Sequence, residues 1–468
     1  MVETLTGLFE DLPDQERTEV RVARLPRLRE ADRRQVELRM LSLDDLVACG
    51  HRVRLVWAFC ETLDLGPLYD AIKAVAGHPG HPPADPRLLM ALWLFATVEG
   101  VGSARALARL CGEHLAYQWL CGGVSMNHKT LSDFRVAHGA VLERLLVDSF
   151  AALLKAGIAS LDRVAQDGVR VRASAGAASF RRSSTLSECR GDAQAEVDRL
   201  RRELEANPAA LSRREAAQRE RAAADRLRRV EAAVAAAERL DAAHRARERK
   251  AVARAGRDDE AATKAEAKVQ VPETQAPGTK PREARVSTTD LEAKVMKMAD
   301  GGFRPAYNVQ FAADTTSGAV AGVSVDNLGS DMGKMAPMND ALAQAYGTRP
   351  GQHLADGGFA KLADIEHLTK VGVTVYVPVP APRDPSRDRY TPRPDDTAAV
   401  ADWRTRMNTD AAKEIYKERA ATAECVNAQA RNRGLTRLLV RGVEKVKATA
   451  CWYALTHNMT CTWRLAAA

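Results

Sequence analysis

Apolar and polar residues recur with two different periods along the chain. Between residues 43 and 150 apolar positions have helical spacing, in segments such as LVWAFCETLDL and SARALARLCGEHLAYQWL that Gly and Pro separate. Asp85 and Pro86 supply an N-cap and a first-turn proline to one of these segments. The pattern predicts an all-α N-terminal domain over residues 1–150.

From Ser160 the period shortens to that of β-strands. Apolar runs recur in DRVAQDGVRVRA, AYNVQFAADTTSG, AVAGVSVDN, GQHLADGGFA and GVTVYVPV, and helical segments follow the third and the fourth. Three strands joined by turns, followed by two strands joined through helices, predict an α/β fold with helices flanking a mixed sheet. We assign this predicted core to residues 158–185 and 291–468.

A long helical segment interrupts the predicted core after its first strand. It is rich in Ala, Arg and Glu, and Leu227, Val230 and Val234 step by three and four residues. This narrow apolar seam predicts a helical hairpin or short coiled coil over residues 186–290, with a flexible linker from residue 256 onward. We interpret the segment as structural or as a partner contact, and a basic arm along DNA is the alternative.

The charge balance favours a polyanionic partner. The chain holds 69 Lys and Arg against 61 Asp and Glu, a net charge of +8, and residues 401–468 contain twelve of the basic and six of the acidic residues. No uncharged apolar run approaches the roughly 18 residues of a membrane-spanning helix, and the acidic N-terminus lacks the features of a secretory signal. We therefore expect a cytoplasmic, nucleoid-associated protein that binds no membrane.

Basic residues also punctuate the predicted N-terminal helices. Arg105, Arg109, Lys129 and Arg135 are expected to face outward. Short helices joined by tight turns and carrying such residues are typical of helix-turn-helix DNA-binding domains. A plain helical bundle whose charges form a solvated surface is the alternative.

One carboxylate stands inside a predicted strand. The period of two places Asp167 on the same face as Val169 and Val171. A carboxylate on an apolar face is costly unless a cation meets it, and a metal ion would offset that cost. The alternative is a strand-end aspartate that forms a turn with Gly168.

A second carboxylate, Asp356, follows a later strand. The two glycines after it let the chain turn sharply into the next helix. Ligands of open sheets gather at the carboxyl ends of strands, so Asp356 is the second candidate. Asp314, Asp326 and Asp331 compete with it.

A third carboxylate, Glu424, lies on a predicted helix of the basic C-terminal segment. On a regular helix Arg431 comes within about 20° of Glu424 and is placed to hold a phosphate. With the two strand-borne aspartates, Glu424 completes an all-oxygen set suited to two Mg²⁺ or Mn²⁺ ions, the chemistry that breaks phosphodiester bonds without a covalent nucleophile. The sequence contains no G-x-x-x-x-G-K-[ST] phosphate loop, so nucleotide hydrolysis is unsupported.

Several segments, in order, resemble the DDE transposases of bacterial insertion sequences, from the branch with a tyrosine-arginine-glutamate-lysine signature. They are HPPADPRLLMALWLF, NHKTLSDFR, DGVRVRASA, KMADGGFRPAYNVQFAAD, LADGGFA, YKERAATAE, LLVRGVEKV and LTHNM, and they span most of the chain. The resemblance implies a ribonuclease H-like core. It also implies that Asp167, Asp356 and Glu424 form a catalytic, metal-binding triad.

The same resemblance implies that signature residues lie near the DNA. These are Tyr416, Arg419 and Arg431, and we add the neighbouring Arg433. The signature has three residues between its arginine and glutamate, whereas Arg419 is five positions before Glu424. On a regular helix Arg419 would therefore point about 140° away from Glu424. Arg431 stands where the signature has lysine, which keeps the charge but replaces a point donor with a planar fork.

The resemblance further implies an enzyme that binds the terminal inverted repeats of its insertion sequence. Such an enzyme hydrolyses phosphodiester bonds there and transfers the 3′-hydroxyl ends to target DNA by two-metal, in-line chemistry. It works on double-stranded DNA as at least a homodimer. Two alternatives stay open: a DNA-binding relic or regulator that does not cut, and a metal-dependent nuclease without strand transfer.

Overall fold

Seven α-helices precede the first strand in the part of the chain that the structure describes. The computed structural model describes residues 40, 42–75, 82–206, 212–262, 284–382, 384 and 386–466. The helices are α1 Arg52–Thr62, α2 Gly66–Asp70, α3 Pro86–Val98, α4 Ala104–Glu113, α5 Leu115–Cys121, α6 His128–Ala137 and α7 Gly139–Lys155. Asp85 caps α3 as predicted, because its Oδ1 accepts a hydrogen bond of 2.7 Å from the backbone N–H of Arg87.

The apolar helix α3 is buried on all sides and lies at the centre of these helices. Its Trp93, together with Phe134 of α6, packs against Trp452 in the C-terminal helix. The indole N–H of Trp452 donates to the carbonyl oxygen of Arg135 at 3.0 Å. The N-terminal helices therefore share one apolar core with the C-terminal end of the chain. The predicted domain boundary near residue 150 stays a prediction.

The outward orientation predicted for Arg135 is wrong. Its side chain is buried, stacks on the ring of Trp93 at 4.8 Å and donates to the carbonyl oxygen of Gly102. Burial lowers the pKa of this guanidinium. Arg105, Arg109 and Lys129 are exposed as expected.

The described strands are β1 Arg163–Arg172, β2 Phe180–Arg182, β3 Arg285–Ser287, β4 Lys294–Lys297, β5 Phe303–Asp314, β6 Val320–Asp326, β7 Gln352–Leu354 and β8 Thr374–Tyr376. Strand β1 pairs antiparallel with β5 and parallel with β7, and β8 continues the parallel side. The outer edge of β5 pairs first with β4 and then with β6. The predicted mixed α/β sheet is confirmed.

Two helices lie between β2 and β3, where the helical insertion was predicted. They are α8 Ser183–Ala206 and α9 Arg213–Ala262. Val197 and Leu200 of α8 pack against Ala223 and Leu227 of α9, so the apolar seam faces its neighbouring helix. Residues 207–211, and residues 263–283 of the predicted linker, lie outside the described residues.

The remaining described helices are α10 Met335–Tyr346, α11 Leu362–Lys370, α12 Ala398–Met407, α13 Asp410–Arg419, α14 Cys425–Asn432 and α15 Val443–Ala466. Buried apolar residues of β7 and β8, among them Leu354 and Val375, form one core with Ile365 of α11 and Trp403 of α12. None of the helices in the described ranges is both long and apolar enough to cross a membrane. The sheet thus has helices on its faces, and β1 extends beyond the end of β7.

Candidate active site

The sheet opens where β7 ends beside β1. The two strands pair only over Arg163 to Ala165 of β1, and Ala165 is opposite Leu354. Asp167 and Asp356 each lie two residues further along, so the same register places the two aspartates side by side. The crevice at the carboxyl ends of parallel strands is where sheets of this kind bind ligands.

Asp167 is held by hydrogen bonds from two sides. Its Oδ1 accepts from the backbone N–H of Gly168 at 2.8 Å, and its Oδ2 accepts from Nδ2 of Asn427 in α14 at 2.9 Å. Burial raises the pKa of Asp167, and the nearby charge of Asp356 raises it further, whereas the Arg419 guanidinium opposes the rise. The alternative of a strand-end turn is wrong, because Asp167 and Gly168 both pair with β5 in the middle of β1.

Asp356 ends the crevice on the β7 side. Its Oδ1 accepts a hydrogen bond of 2.8 Å from the backbone N–H of Gly358 and so caps the short helical turn Gly357–Phe359. Of its competitors, Asp314 is fully buried and accepts from Ser317, and Asp326 forms an ion pair with Lys334. Neither lines the cavity that Asp167 and Asp356 share.

Helices α13 and α14 are joined by a π-helical segment, Ala420–Glu424. In a π-helix hydrogen bonds join residues five apart, so such residues lie on one face. Arg419 Nη2 donates to Glu424 Oε1 at 2.8 Å, and its Nη1 lies 3.9 Å from Oδ2 of Asp167. The prediction that Arg419 points away from Glu424 is therefore wrong, because it assumed a regular α-helix.

The π-helical segment also explains the spacing of the signature. One extra residue separates Arg419 from Glu424, and a helix absorbs one extra residue by widening a single turn. Residues before and after the widened turn then lie on the same side of the helix as they would without the extra residue. The extra residue was visible in the sequence and, beside a functional residue, was itself the signal for a π turn.

Tyr416 and Arg431 complete the surroundings of the aspartates. The guanidinium carbon of Arg419 lies 5.8 Å from the ring centroid of Tyr416. Burial raises the pKa of Tyr416, and the charges of Asp356 and Asp167 act in the same direction. Arg431 lines a cavity of about 420 Å³ together with both aspartates.

The cavity wall is dense in charge. Arg170, Arg172 and Arg304 line it alongside Arg431, and Asp300 and Asp331 join the two aspartates. The four guanidinium groups match the four carboxylates in number and could hold phosphates of a polyanion beside the acidic residues. Asp331, one of the competing candidates, therefore lies at the site rather than away from it.

Arg433 does not join this group. Its Nη2 donates to Oγ1 of Thr460 in α15 at 2.9 Å, and burial lowers its pKa. This hydrogen bond joins α14 to α15, and the predicted contact of Arg433 with DNA stays a prediction. Asn427, in contrast, was missed, because a buried asparagine three residues after Glu424 gives no signal until the helix is seen to pack on Asp167.

The donor chemistry of the site fits hard divalent ions. Carboxylate oxygens of Asp167, Asp356 and Glu424 are the ligands that Mg²⁺ and Mn²⁺ prefer, and a nearby cation would offset the cost of burying the charge of Asp167. Within the described ranges no three His, Cys, Asp or Glu residues are close enough to hold one ion together. The Arg419 guanidinium lies between Asp167 and Glu424 and supplies the positive charge there.

Gly168 leaves no room for a side chain. A Cβ at this position would lie 2.3 Å from Nε2 of Gln310, 2.6 Å from Oδ1 of Asp331 and 2.7 Å from Oδ1 of Asn308. We expect Gly168→Ala to lower the free energy of unfolding by about 1–3 kcal/mol, because these packed side chains must move apart. Denaturant unfolding measures the change.

The matched control is Gly191→Ala in α8, where nothing lies within 4 Å of an added Cβ. It should unfold at the wild-type denaturant concentration or higher, since alanine favours helices over glycine. Wild-type stability in Gly168→Ala would show that the polar side chains above Gly168 are not fixed.

Two family models match the chain. Residues 41–137 match the one described as Transposase domain (DUF772), and residues 382–462 match the one described as Transposase DDE domain. The first match contains helices α1 to α6, and the second contains Tyr416, Arg419, Glu424 and Arg431. No curated protein and no solved structure gives a significant match.

Proposed function

We propose that this chain cuts the ends of its element and joins them to target DNA. The proposal draws on the resemblance to the DDE transposases of insertion sequences, which both family matches support. The observation that carries the proposal is the meeting of three segments at the open end of the sheet. There β1 brings Asp167, the end of β7 brings Asp356, and the π-helical segment brings Arg419 and Glu424. The strand order β6, β5, β1, β7, β8 supports a ribonuclease H-like core.

Each residue of the proposed site has a task. Asp167, Asp356 and Glu424 would hold two Mg²⁺ or Mn²⁺ ions, which when bound activate the attacking oxygen and stabilise the leaving oxygen of a phosphodiester. Asn427 orients the Asp167 carboxylate by its hydrogen bond to Oδ2. Arg431 binds a phosphate of the strand that enters the cavity.

Two signature residues on α13, Tyr416 and Arg419, act on the proposed metal-binding carboxylates. Arg419 neutralises Asp167 and Glu424 before cations and DNA arrive, since its two terminal nitrogens face both. Tyr416, stacked near that guanidinium, restricts its position. The phenol and the guanidinium together form the wall of the site beside the DNA backbone.

The helical N-terminal part is proposed to read the terminal repeats. Arg105 and Arg109 are exposed on α4, and Lys129 is exposed on the first turn of α6. Exposed basic residues on short, adjacent helices suit contacts to phosphates and base edges. Because two ends must be held together for joining, we propose a homodimer on double-stranded DNA, acting on the nucleoid in the cytoplasm.

The test uses the full chain and a supercoiled plasmid that carries the element's candidate ends, incubated with Mg²⁺. Joined products between the ends and a second plasmid support transposition. Nicks without joined products favour a nuclease, and a mobility shift without nicks favours a DNA-binding relic or regulator. A plasmid without the ends is the matched control, and equal cleavage of both plasmids would contradict recognition of the ends.

A further inference from the structure

A chain of buried polar side chains crosses the sheet behind the proposed active site. His353 Nε2 lies 3.0 Å from Oε1 of Gln166, and Gln166 Nε2 donates to Oε1 of Gln310 at 3.0 Å. Nε2 of Gln310 and Nδ2 of Asn308 each donate to Oδ1 of Asp331 at 2.6 Å. The amide and imidazole members are all fully buried on β1, β5 and β7, so the chain links the strands that carry the two aspartates.

The hydrogen bonds in this chain all run one way. Burial lowers the pKa of His353 to about 4, so the ring is neutral at physiological pH and carries one N–H. Nδ2 of Asn339 faces Nδ1 of His353 at 3.4 Å and can only donate, which leaves Nε2 of the ring as the donor to Gln166. Arg349 donates to Oδ1 of Asn339 at 2.6 Å. The chain therefore begins at a cation, Arg349, and ends at an anion, Asp331.

The far side of Asp331 meets a guanidinium of the cavity wall. Its Oδ2 lies 3.7 Å from Nη2 of Arg170. Arg170 in turn donates to the carbonyl oxygens of Lys297 at 2.9 Å and Gly329 at 2.8 Å. The first carbonyl ends β4 immediately before the β4–β5 connection, the second lies in the loop after β6, and residues that follow each of them line the cavity.

Hydrogen bonds, and not only packing, hold the Asp331 carboxylate in place. Apolar side chains could fill the same space, and buried amides are costly unless every partner is in place. Here two amide donors hold one oxygen of Asp331, which leaves the other oxygen directed at Arg170. The buried chain thus determines where the charge of Asp331 stands.

We propose that Asp331 is a positioning residue of the active site. Held from behind by the buried amides, it holds Arg170, and Arg170 holds the two loops that shape the cavity for a DNA strand. We call the Asp331 and Arg170 pair the clamp. The inference rests on the proposed function, since the cavity matters for cleavage only if the chain cleaves DNA.

The first test is Asp331→Asn in the full chain. Asparagine keeps one oxygen for the two amide donors and places a neutral NH2 group where the second carboxylate oxygen faces Arg170. Cleavage of the plasmid ends should fall by about tenfold, with the thermal midpoint unchanged. Arg170→Met should cost a similar factor, and the double variant should cost no more than the larger single effect, because both changes open the same clamp.

The matched control is Asp326→Asn, which removes the acidic residue at the end of β6. Its partner is Lys334, and it does not line the cavity. It should cleave at the wild-type rate. Wild-type cleavage by Asp331→Asn would overturn the clamp. So would a double variant whose loss of cleavage equals the product of the two single losses. Either result leaves the proposed function standing.

A second measurement does not depend on cleavage. Amide hydrogen exchange of residues 298–302 and 329–333 should quicken in Asp331→Asn, because both loops lose their anchor. If the wild-type chain cuts no DNA, the proposed function fails, and unchanged exchange in these two loops would overturn the clamp independently.

Discussion

Asp167→Asn and Asp356→Asn are each expected to lower strand cleavage by about a thousandfold or more, with DNA affinity close to that of the wild type. The two carboxylates stand side by side at the open end of the sheet, where they would hold the ions that act on the bond. The arginines around them, which remain in both variants, provide most of the attraction for DNA. End cleavage and equilibrium binding at one salt concentration measure the two quantities.

The unfolding temperature of Asp167→Asn distinguishes a loss of catalysis from misfolding of the variant. Burial raises the pKa of Asp167 in the folded chain, so above the pKa of the unfolded carboxylate its charge costs folding free energy. That cost is absent at low pH, where the group is protonated in both states. The neutral variant Asp167→Asn should therefore unfold at the same temperature as the wild type or higher at pH 7.

The matched control is Asp162→Asn, an exposed aspartate immediately before β1 and outside the cavity. It should cleave and bind like the wild type. Wild-type cleavage by Asp356→Asn would move the second carboxylate elsewhere, and Asp331 would be the first alternative because it lines the same cavity.

Local patterns were enough to predict five strands of the sheet, because apolar runs with turn residues between them mark β1, β5, β6, β7 and β8. The strand around Asp167 and the turn after Asp356 follow from neighbouring residues alone. Side chains fixed by distant partners were not predictable in this way. Arg135 has the charge of a surface residue, yet it is buried because Trp93 of another helix offers it a ring to stack on.

The buried amides illustrate the same limit. Gln166, Gln310 and His353 are ordinary polar residues in the sequence, and each lies on a different strand. Their connection depends on strand order, which single-strand patterns do not contain. Asn427 similarly becomes informative only when α14 is seen to pack over β1. The carboxylates could be predicted from residue type and spacing. The side chains that hold them could be identified only once the fold was known.

Arg419→Ala is expected to lower cleavage by about a hundredfold and to be more damaging than Arg431→Ala. Arg419 faces Asp167 and Glu424 at once, so its loss leaves a buried carboxylate without its cation and frees Glu424. Arg431 lines the cavity but forms no ion pair in the described part of the chain. Cleavage of the plasmid ends by both variants at one salt concentration measures the order.

Changes of helix length test whether the π-helical segment places Arg419. Deleting the exposed Ala421 restores three residues between Arg419 and Glu424, and on a regular α-helix residues four apart share a face. This variant should therefore cleave within about tenfold of the wild type. Inserting one more alanine after Ala421 turns Arg419 by a further 100° or so and should cost as much as Arg419→Ala. If deletion and insertion lower cleavage equally, the widened turn itself is required for activity. Placing Arg419 on the same face as Glu424 is then not sufficient.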